Sequence, residues 1–338
     1  MGGEHLQYAG EVEVPVEAIQ TVDPAVVKSL PAGCQIKGIA AHGAISWTRI
    51  ARIDTTLNGE KQSFFIKGGH TASFADLTIL TTAYGDQGKR ILSGEHLCMN
   101  RIHDVMPDLV PKTIAWGSYL DMQEIHFFLA EFRPMKDGLP DIERFPAKMA
   151  ELHRVATSPD GRFGFGITTF HGNIPIEHGC SDTWEEYFAR TTKALLKLEQ
   201  EAQGPNDEIQ RLMVPFFSKV IPRLLRPLET GGRSIQPSLI HGDLWHGNAS
   251  TDGETGMPII FDAASFYAHN EYELGVWRQP WNEISEPYRA RYYEHFPKSQ
   301  PEEDYDDRNM LYALLIKCMR DLVEKFPGGL EGWEATPV

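Results

Sequence analysis

The residues best suited to chemistry in this 338-residue chain lie in one string, Leu239-Ile240-His241-Gly242-Asp243-Leu244-Trp245-His246-Gly247-Asn248. A loop, Asp252-Gly253-Glu254-Thr255-Gly256, and an apolar run, Met257 to Phe261, then lead to Asp262. A carboxylate in a loop directly after an apolar strand can orient a hydroxyl and accept its proton. An Asn further along that loop and an Asp at the next strand end offer oxygen ligands to Mg²⁺, a hard cation that keeps several of its waters. Asp and Asn populate turns for local reasons, so Asp262 alone reads as a turn residue. The whole string, with its offsets, is not accounted for by turn chemistry.

The offsets are those of the protein-kinase catalytic loop and its metal-binding Asp, where a hydroxyl attacks a γ-phosphoryl group. Two upstream residues complete such a constellation. Lys67 ends the apolar strand Phe64-Phe65-Ile66, and Glu95 falls on the apolar helix face of Ile91, Cys98 and Ile102. A carboxylate buried there is neutral or paired, and Lys67 is the suitable partner. The segment His42-Gly43-Ala44-Ile45-Ser46 is expected as a loop between the first two strands, where backbone N–H groups can cover phosphates. Gly85-Asp86-Gln87-Gly88-Lys89-Arg90 does not have Walker A spacing. His96, Cys98 and His103 point to different faces of one helix and are not read as a metal cluster.

These residues need a scaffold in two parts. The first 130 or so positions read as strands plus one long helix. Strands are expected at Gln35–Ala40, Trp47–Asp54, Gln62–Lys67, Thr113–Ser118 and Glu124–Phe132, with a hairpin turn at Asn58-Gly59 and a helix from Gln87 to Met106. After Arg133-Pro134 the pattern turns helical. Phe145, Met149, Leu152 and Val155 mark one helix, and Asp182-Thr183-Trp184-Glu185 resembles a capping box opening another. A third, Glu208 to Leu228, must be interrupted at Pro215 and Pro222. A last helix is expected from Leu311 to Phe326. The expectation is an α+β, bilobal arrangement: a β-rich N-lobe over 1–132 and a mainly helical C-lobe over 133–338.

Composition narrows the partners. There are 32 Lys+Arg against 47 Asp+Glu, a formal charge of −15. That argues against an extended nucleic-acid surface, which needs a basic face. No apolar run reaches the length of a membrane span. The start has no basic or apolar leader region. Cys34, Cys98, Cys180 and Cys318 lie far apart and read as reduced thiols, so a cytoplasmic protein is expected.

His241-Gly242-Asp243-Leu244-Trp245-x-Gly247-Asn248, together with Ile260-Phe261-Asp262-Ala263-Ala264-Ser265-Phe266-Tyr267 and Glu271-Tyr272-Glu273-Leu274, resembles the fructosamine kinase (ketosamine-3-kinase) family. That family lies within the aminoglycoside phosphotransferase and protein-kinase-like superfamily. Leu109-Val110-Pro111-Lys112 and Phe163-Gly164-Phe165-Gly166 extend the likeness along most of the chain. The resemblance implies a protein-kinase-like fold and transfer of the ATP γ-phosphoryl to the 3-hydroxyl of a ketosamine, a glycated lysine or amine, leading to deglycation. It implies Asp243 as catalytic base, Asn248 and Asp262 as Mg²⁺ ligands, Lys67 as the phosphate lysine and Glu95 as its partner. Gly43, Ala44, Ile45 and Ser46 would cover the phosphates, while Glu131 and Phe132 would form a hinge whose backbone meets adenine.

Departures and open readings remain. Ala263 stands where the family usually has proline, and Ala44 where some relatives have cysteine. Trp245 reads equally as a ring for the sugar or an anchor under the loop, and His246 as substrate contact or exposed loop residue. Trp184 has core spacing, although the resemblance puts its region near the acceptor. Glu271 and Glu273 either stabilise the loop after Asp262 or attract a cationic amine. An aminoglycoside- or choline-type acceptor, or a silent pseudokinase, stays as an alternative, and the sequence leaves the sugar and the oligomeric state open.

Overall fold

The computed structural model describes residues 12–14, 22–45, 48–68, 83–314 and 316–331, with side chains described except at 12–14 and 41–49. It divides into two compact units. The first is 1–135 with 169–174, and the second is 136–168 with 175–338.

The first unit opens with β1 (Val12–Val14), α1 (Pro24–Ser29), β2 (Gln35–Ile45), β3 (Thr48–Leu57) and β4 (Glu60–Gly68). The helix α2 (Gly85–His103), then β5 (Thr113–Ser118) and β6 (His126–Glu131) follow, and the short β7 (Met135–Lys136) straddles the boundary to the second unit. Six strands form one antiparallel sheet in the order β1-β2-β3-β4-β6-β5. Strand alternation puts Phe64 and Ile66 on the face that packs with Ile39, Ile53, Phe127 and Leu129. Lys67, one residue on, therefore belongs to the other face. On α2 the buried stripe Ile91, Glu95, Cys98 and Ile102 recurs at helical spacing, with Glu95 in its middle.

One expectation changes here. The segment from Ala41 to Ile45 is not a loop: β2 continues through it, with Ala44 paired to Arg49 and Ile45 to Thr48. The register slips between Ala41 and Ala44, a β-bulge that absorbs an extra residue. Gly43, Ala44 and Ile45 thus lie in the end of a strand, and Ser46 lies outside the described residues.

The second unit contains α3 (Arg144–Val155), β8 (Phe163–Phe165), β11 (Gly179–Ser181) and α4 (Trp184–Gln203). Between β8 and β11 lie the short strands β9 (Thr169–His171) and β10 (Ile174–Ile176), the former belonging to the first unit. Thr183 caps α4 by accepting the N–H of Glu186. The stretch after Asn206 is broken as its prolines require, into α5 (Asp207–Pro215), a π-helical turn (Phe216–Val220), α6 (Ile221–Leu225) and a 3₁₀ turn (Arg226–Glu229). Then come β12 (Ser238–Ile240), β13 (Ala249–Asp252), β14 (Pro258–Ile260) and β15 (Phe266–Ala268). A 3₁₀ segment (Asn270–Arg278) precedes α7 (Glu286–His295), α8 (Tyr305–Ala313) and α9 (Ile316–Lys325). β11, β8, β15 and β12 form a four-stranded sheet in that order.

The last helix is not continuous. Leu314 takes φ 52° and caps α8 there, and α9 begins at Ile316. No helix among the described residues is long and apolar enough to cross a membrane.

Candidate active site

In the second unit, β12 delivers His241 and Asp243, and β14 delivers Asp262. Backbone bonds tie the two loops together: Ala264 N–H donates to His241 O at 2.9 Å, and Phe261 N–H to Asn248 O at 3.1 Å. The His241 ring adds a third tie. Its Nε2 lies 2.9 Å from the carbonyl of Phe261, which can only accept. Its Nδ1 lies 3.2 Å from the backbone N–H of Asp243, which can only donate. These partners fix a neutral ring with the proton on Nε2. His241 is thus a buried strut between the Asp243 loop and the Asp262 loop.

Gly242 has φ 86°, and a Cβ there would lie 2.3 Å from Ala264 O, so only glycine lets the loops approach this closely. Asp262 itself takes φ 59°, an uncommon conformation for a residue with a side chain and one that accumulates at functional sites.

Asp243 is met by Asn248, whose Nδ2 donates to the Asp243 carbonyl at 2.8 Å and to its Oδ2 at 3.2 Å. With its amide hydrogens directed there, Asn248 has Oδ1 to offer a cation. Paired with the Asp262 carboxylate this is an all-oxygen set, which suits Mg²⁺ completed by water and phosphate. Among the described residues no group of three or more His, Cys, Asp or Glu gathers to hold a metal, and His96, Cys98 and His103 form none.

Under the loop sits Glu273, whose carboxylate accepts the backbone N–H groups of both His241 and Gly242. It is buried, so these charge-assisted bonds are unscreened by solvent. Glu273 thus supports the loop leading to Asp243, rather than the loop after Asp262 or a substrate amine. Trp277 Nε1 donates to Leu244 O at 2.9 Å and anchors the next turn.

Two expected substrate contacts are corrected. Trp184 is 0% exposed, and its indole N–H donates to Tyr312 Oη at 2.9 Å, so it is a core residue. Glu271 is also 0% exposed, and Arg308 grips it with Nε and Nη2 at 2.9 and 3.2 Å. That pair carries no surface for a substrate amine.

Trp245 and His246, by contrast, lie partly exposed beside Asp243. A Cβ on Gly247 would fall 2.2 Å from the Trp245 ring, so the indole lies against its own loop. The ring of Trp281 stands 6.0 Å from that of Trp245, at 68°. Sequence reasoning missed Trp281, because it falls in an irregular stretch with no motif around it.

In the first unit Lys67 Nζ lies 3.0 Å from Glu95 Oε2, both groups buried. The expected hinge is partly corrected. Glu131 N–H donates to Lys112 O and Phe132 N–H to Ser63 O, so these two amides are engaged within the sheet and are not donors for an adenine ring.

A family model described as fructosamine kinase matches residues 55–321. The mouse (Mus musculus) ketosamine-3-kinase is 32% identical over 249 residues, covering 68% of this chain and 76% of that protein. A chloroplastic protein-ribulosamine 3-kinase of Oryza sativa subsp. indica is 29% identical, covering 68% of this chain and 64% of that protein, just under two thirds of its length. A Thermobifida fusca YX-ER1 structure named for fructosamine-3-kinase superposes with TM-score 0.67 at 18% identity, covering 89% of this chain and 98% of that one. The ADP-bound aminoglycoside phosphotransferase APH(2'')-Ib gives 0.51 at 11%, covering 90% and 97%. Identities this low speak to fold alone, and the fold is the α+β kinase-like one.

Proposed function

This chain belongs to the fructosamine kinase family, and we propose that it transfers the γ-phosphoryl group of ATP to the 3-hydroxyl of a ketosamine. The observation that carries the reading is the Asp243–Asn248 arrangement, locked to the Asp262 loop by His241. In this reading Asp243 orients the attacking hydroxyl and takes its proton, and Asn248 holds the carboxylate in place. Asn248 Oδ1 and Asp262 would hold Mg²⁺, which when bound screens the charge of the phosphates. Lys67, oriented by Glu95, would contact those phosphates. We assign nucleotide binding to 1–132 and catalysis with acceptor binding to 133–338. The 3-phosphate so formed eliminates and releases the amine, which makes the outcome deglycation. Four cysteines outside any disulfide suit a reducing, cytoplasmic setting.

The test is direct. Incubation of the full chain with ATP, Mg²⁺ and fructosyl- or ribulosyl-lysine should yield ADP and a sugar 3-phosphate. Failure to phosphorylate any ketosamine, with ATP bound, would sink the reading.

A further inference from the structure

We infer that Trp281 and Glu283 form an acceptor-selecting wall that favours ketosamines whose amine nitrogen is cationic. The inference rests on the proposed acceptor chemistry and names two residues that neither the motif nor the catalytic constellation includes.

Trp281 is 56% exposed, the most exposed of the described tryptophans. A large apolar ring left in water beside a reactive loop is the informative kind of exposure. It does not stand alone. The His246 ring lies 4.8 Å from Trp245 and 6.4 Å from Trp281, so the three rings make one continuous aromatic surface. Glu283 lies at the His246 edge of this surface, its Oε1 3.9 Å from His246 Nε2.

The wall is preformed, because the residue between Trp281 and Glu283 is a buried peg. Asn282 Oδ1 accepts the backbone N–H of His246 at 3.0 Å and that of Ile284 at 3.2 Å. Its Nδ2 donates to Val276 O at 3.0 Å. Asn282 also sets where Trp281 and Glu283 stand, and it couples both to the loop carrying Asp243. An aromatic face with a carboxylate nearby is chemistry for an ammonium group: the ring quadrupole and the anion both attract the cation. In a ketosamine the nitrogen lies only a few bonds from the 3-hydroxyl, so a hydroxyl at Asp243 brings the nitrogen toward this surface.

The experiment compares two ligands sharing one sugar: the fructosyl adduct of a simple alkylamine, cationic at nitrogen, and its N-acetyl derivative, which is neutral there. Binding is measured by calorimetry and turnover by ADP release, for the parent chain and for Trp281→Ala, Trp281→Phe and Glu283→Gln. Both sites are exposed, so folding is checked simply by the thermal midpoint. The expected result is binding of the cationic ligand weakened about tenfold in Trp281→Ala and about threefold in Glu283→Gln, from the strength of such contacts. Trp281→Phe should recover most of the loss. The neutral ligand should bind weakly and alike in all four proteins, and the KM for ATP should not move.

Equal loss for the cationic and neutral ligands, or no loss in either variant, overturns the inference while leaving phosphoryl transfer intact. Selective binding without phosphoryl transfer supports the wall and instead defeats the proposed reaction. No binding of either ligand by the parent chain defeats both.

Discussion

Asn248 spans Asp243 with a single amide group, donating at once to its backbone carbonyl and to its carboxylate. Its orientation and that of the proposed base are therefore one geometric fact. Replacing Asn248 with Ala should cost about 100-fold in kcat, the scale of losing a ligand together with its orienting bond. Asn248→Asp is the sharper variant. It sets a second carboxylate beside Asp243, and like charge raises a carboxyl pKa by about a unit or more. The acid limb of the kcat/KM–pH profile should move upward accordingly.

Asp243→Asn keeps the shape of the loop and removes the proton acceptor. Turnover should disappear while the Kd for ATP stays within about twofold, because the base acts in the chemical step alone. Single-turnover assays and calorimetry on the same preparation check both halves. A variant that lost ATP affinity equally would show Asp243 to be a binding residue.

The Lys67–Glu95 pair is buried, so removing either half takes a close counter-charge from the other. Glu95→Gln should lower stability by about 3 kcal/mol and raise the KM for ATP, since Lys67 loses its orienting partner. The double variant Lys67→Met/Glu95→Leu should regain much of the stability but none of the ATP affinity. Urea unfolding and steady-state kinetics separate those effects.

His269 supplies a pH dependence of stability. Burial, only partly countered by Glu271 and aided by Arg308 and His153, lowers its pKa from 6.5 to about 4. Its ring nitrogens are already taken up by Tyr312 Oη and Ser299 Oγ. Above pH 6.5 both folded and unfolded forms are neutral and the full stability is present. As the pH falls from there toward 4, the unfolded chain gains a proton that the folded one refuses, and stability falls by roughly 3 kcal/mol. The urea midpoint should therefore drop between pH 7.5 and 4.5, and His269→Gln should flatten part of that slope.

Legibility in the sequence followed the range of the interactions involved. Glu95 could be placed because helical spacing is local: Ile91, Cys98 and Ile102 define its face within three turns. The prolines at 215 and 222 announced the breaks between α5 and α6 for a similarly local reason. The core spacing of Trp184 was legible, whereas Glu271 stayed open between two readings because its partner, Arg308, is remote in sequence. A buried carboxylate with a bidentate arginine looks, in one dimension, the same as one awaiting a cationic substrate. The break at Leu314 has no glycine or proline to signal it, and the short strands between 163 and 181 lack a two-residue period long enough to read. Trp281 was invisible for a related reason, since exposure of a tryptophan is decided by what does not pack on it.

Residues 169–174 belong to the first unit although the chain on either side of them belongs to the second. Within that unit Gln87 Nε2 donates to Asn173 O at 3.0 Å, and the Arg90 guanidinium lies 5.6 Å from the Phe170 ring, both on the helix that carries Glu95. During synthesis the first unit is therefore unfinished when residue 135 leaves the ribosome. Its helix α2 receives its last packing partner only after some forty more residues have emerged. A fragment truncated at 135 would lack the Asn173 carbonyl and the Phe170 ring that Gln87 and Arg90 meet, so independent production of the front half calls for this short segment to be supplied with it.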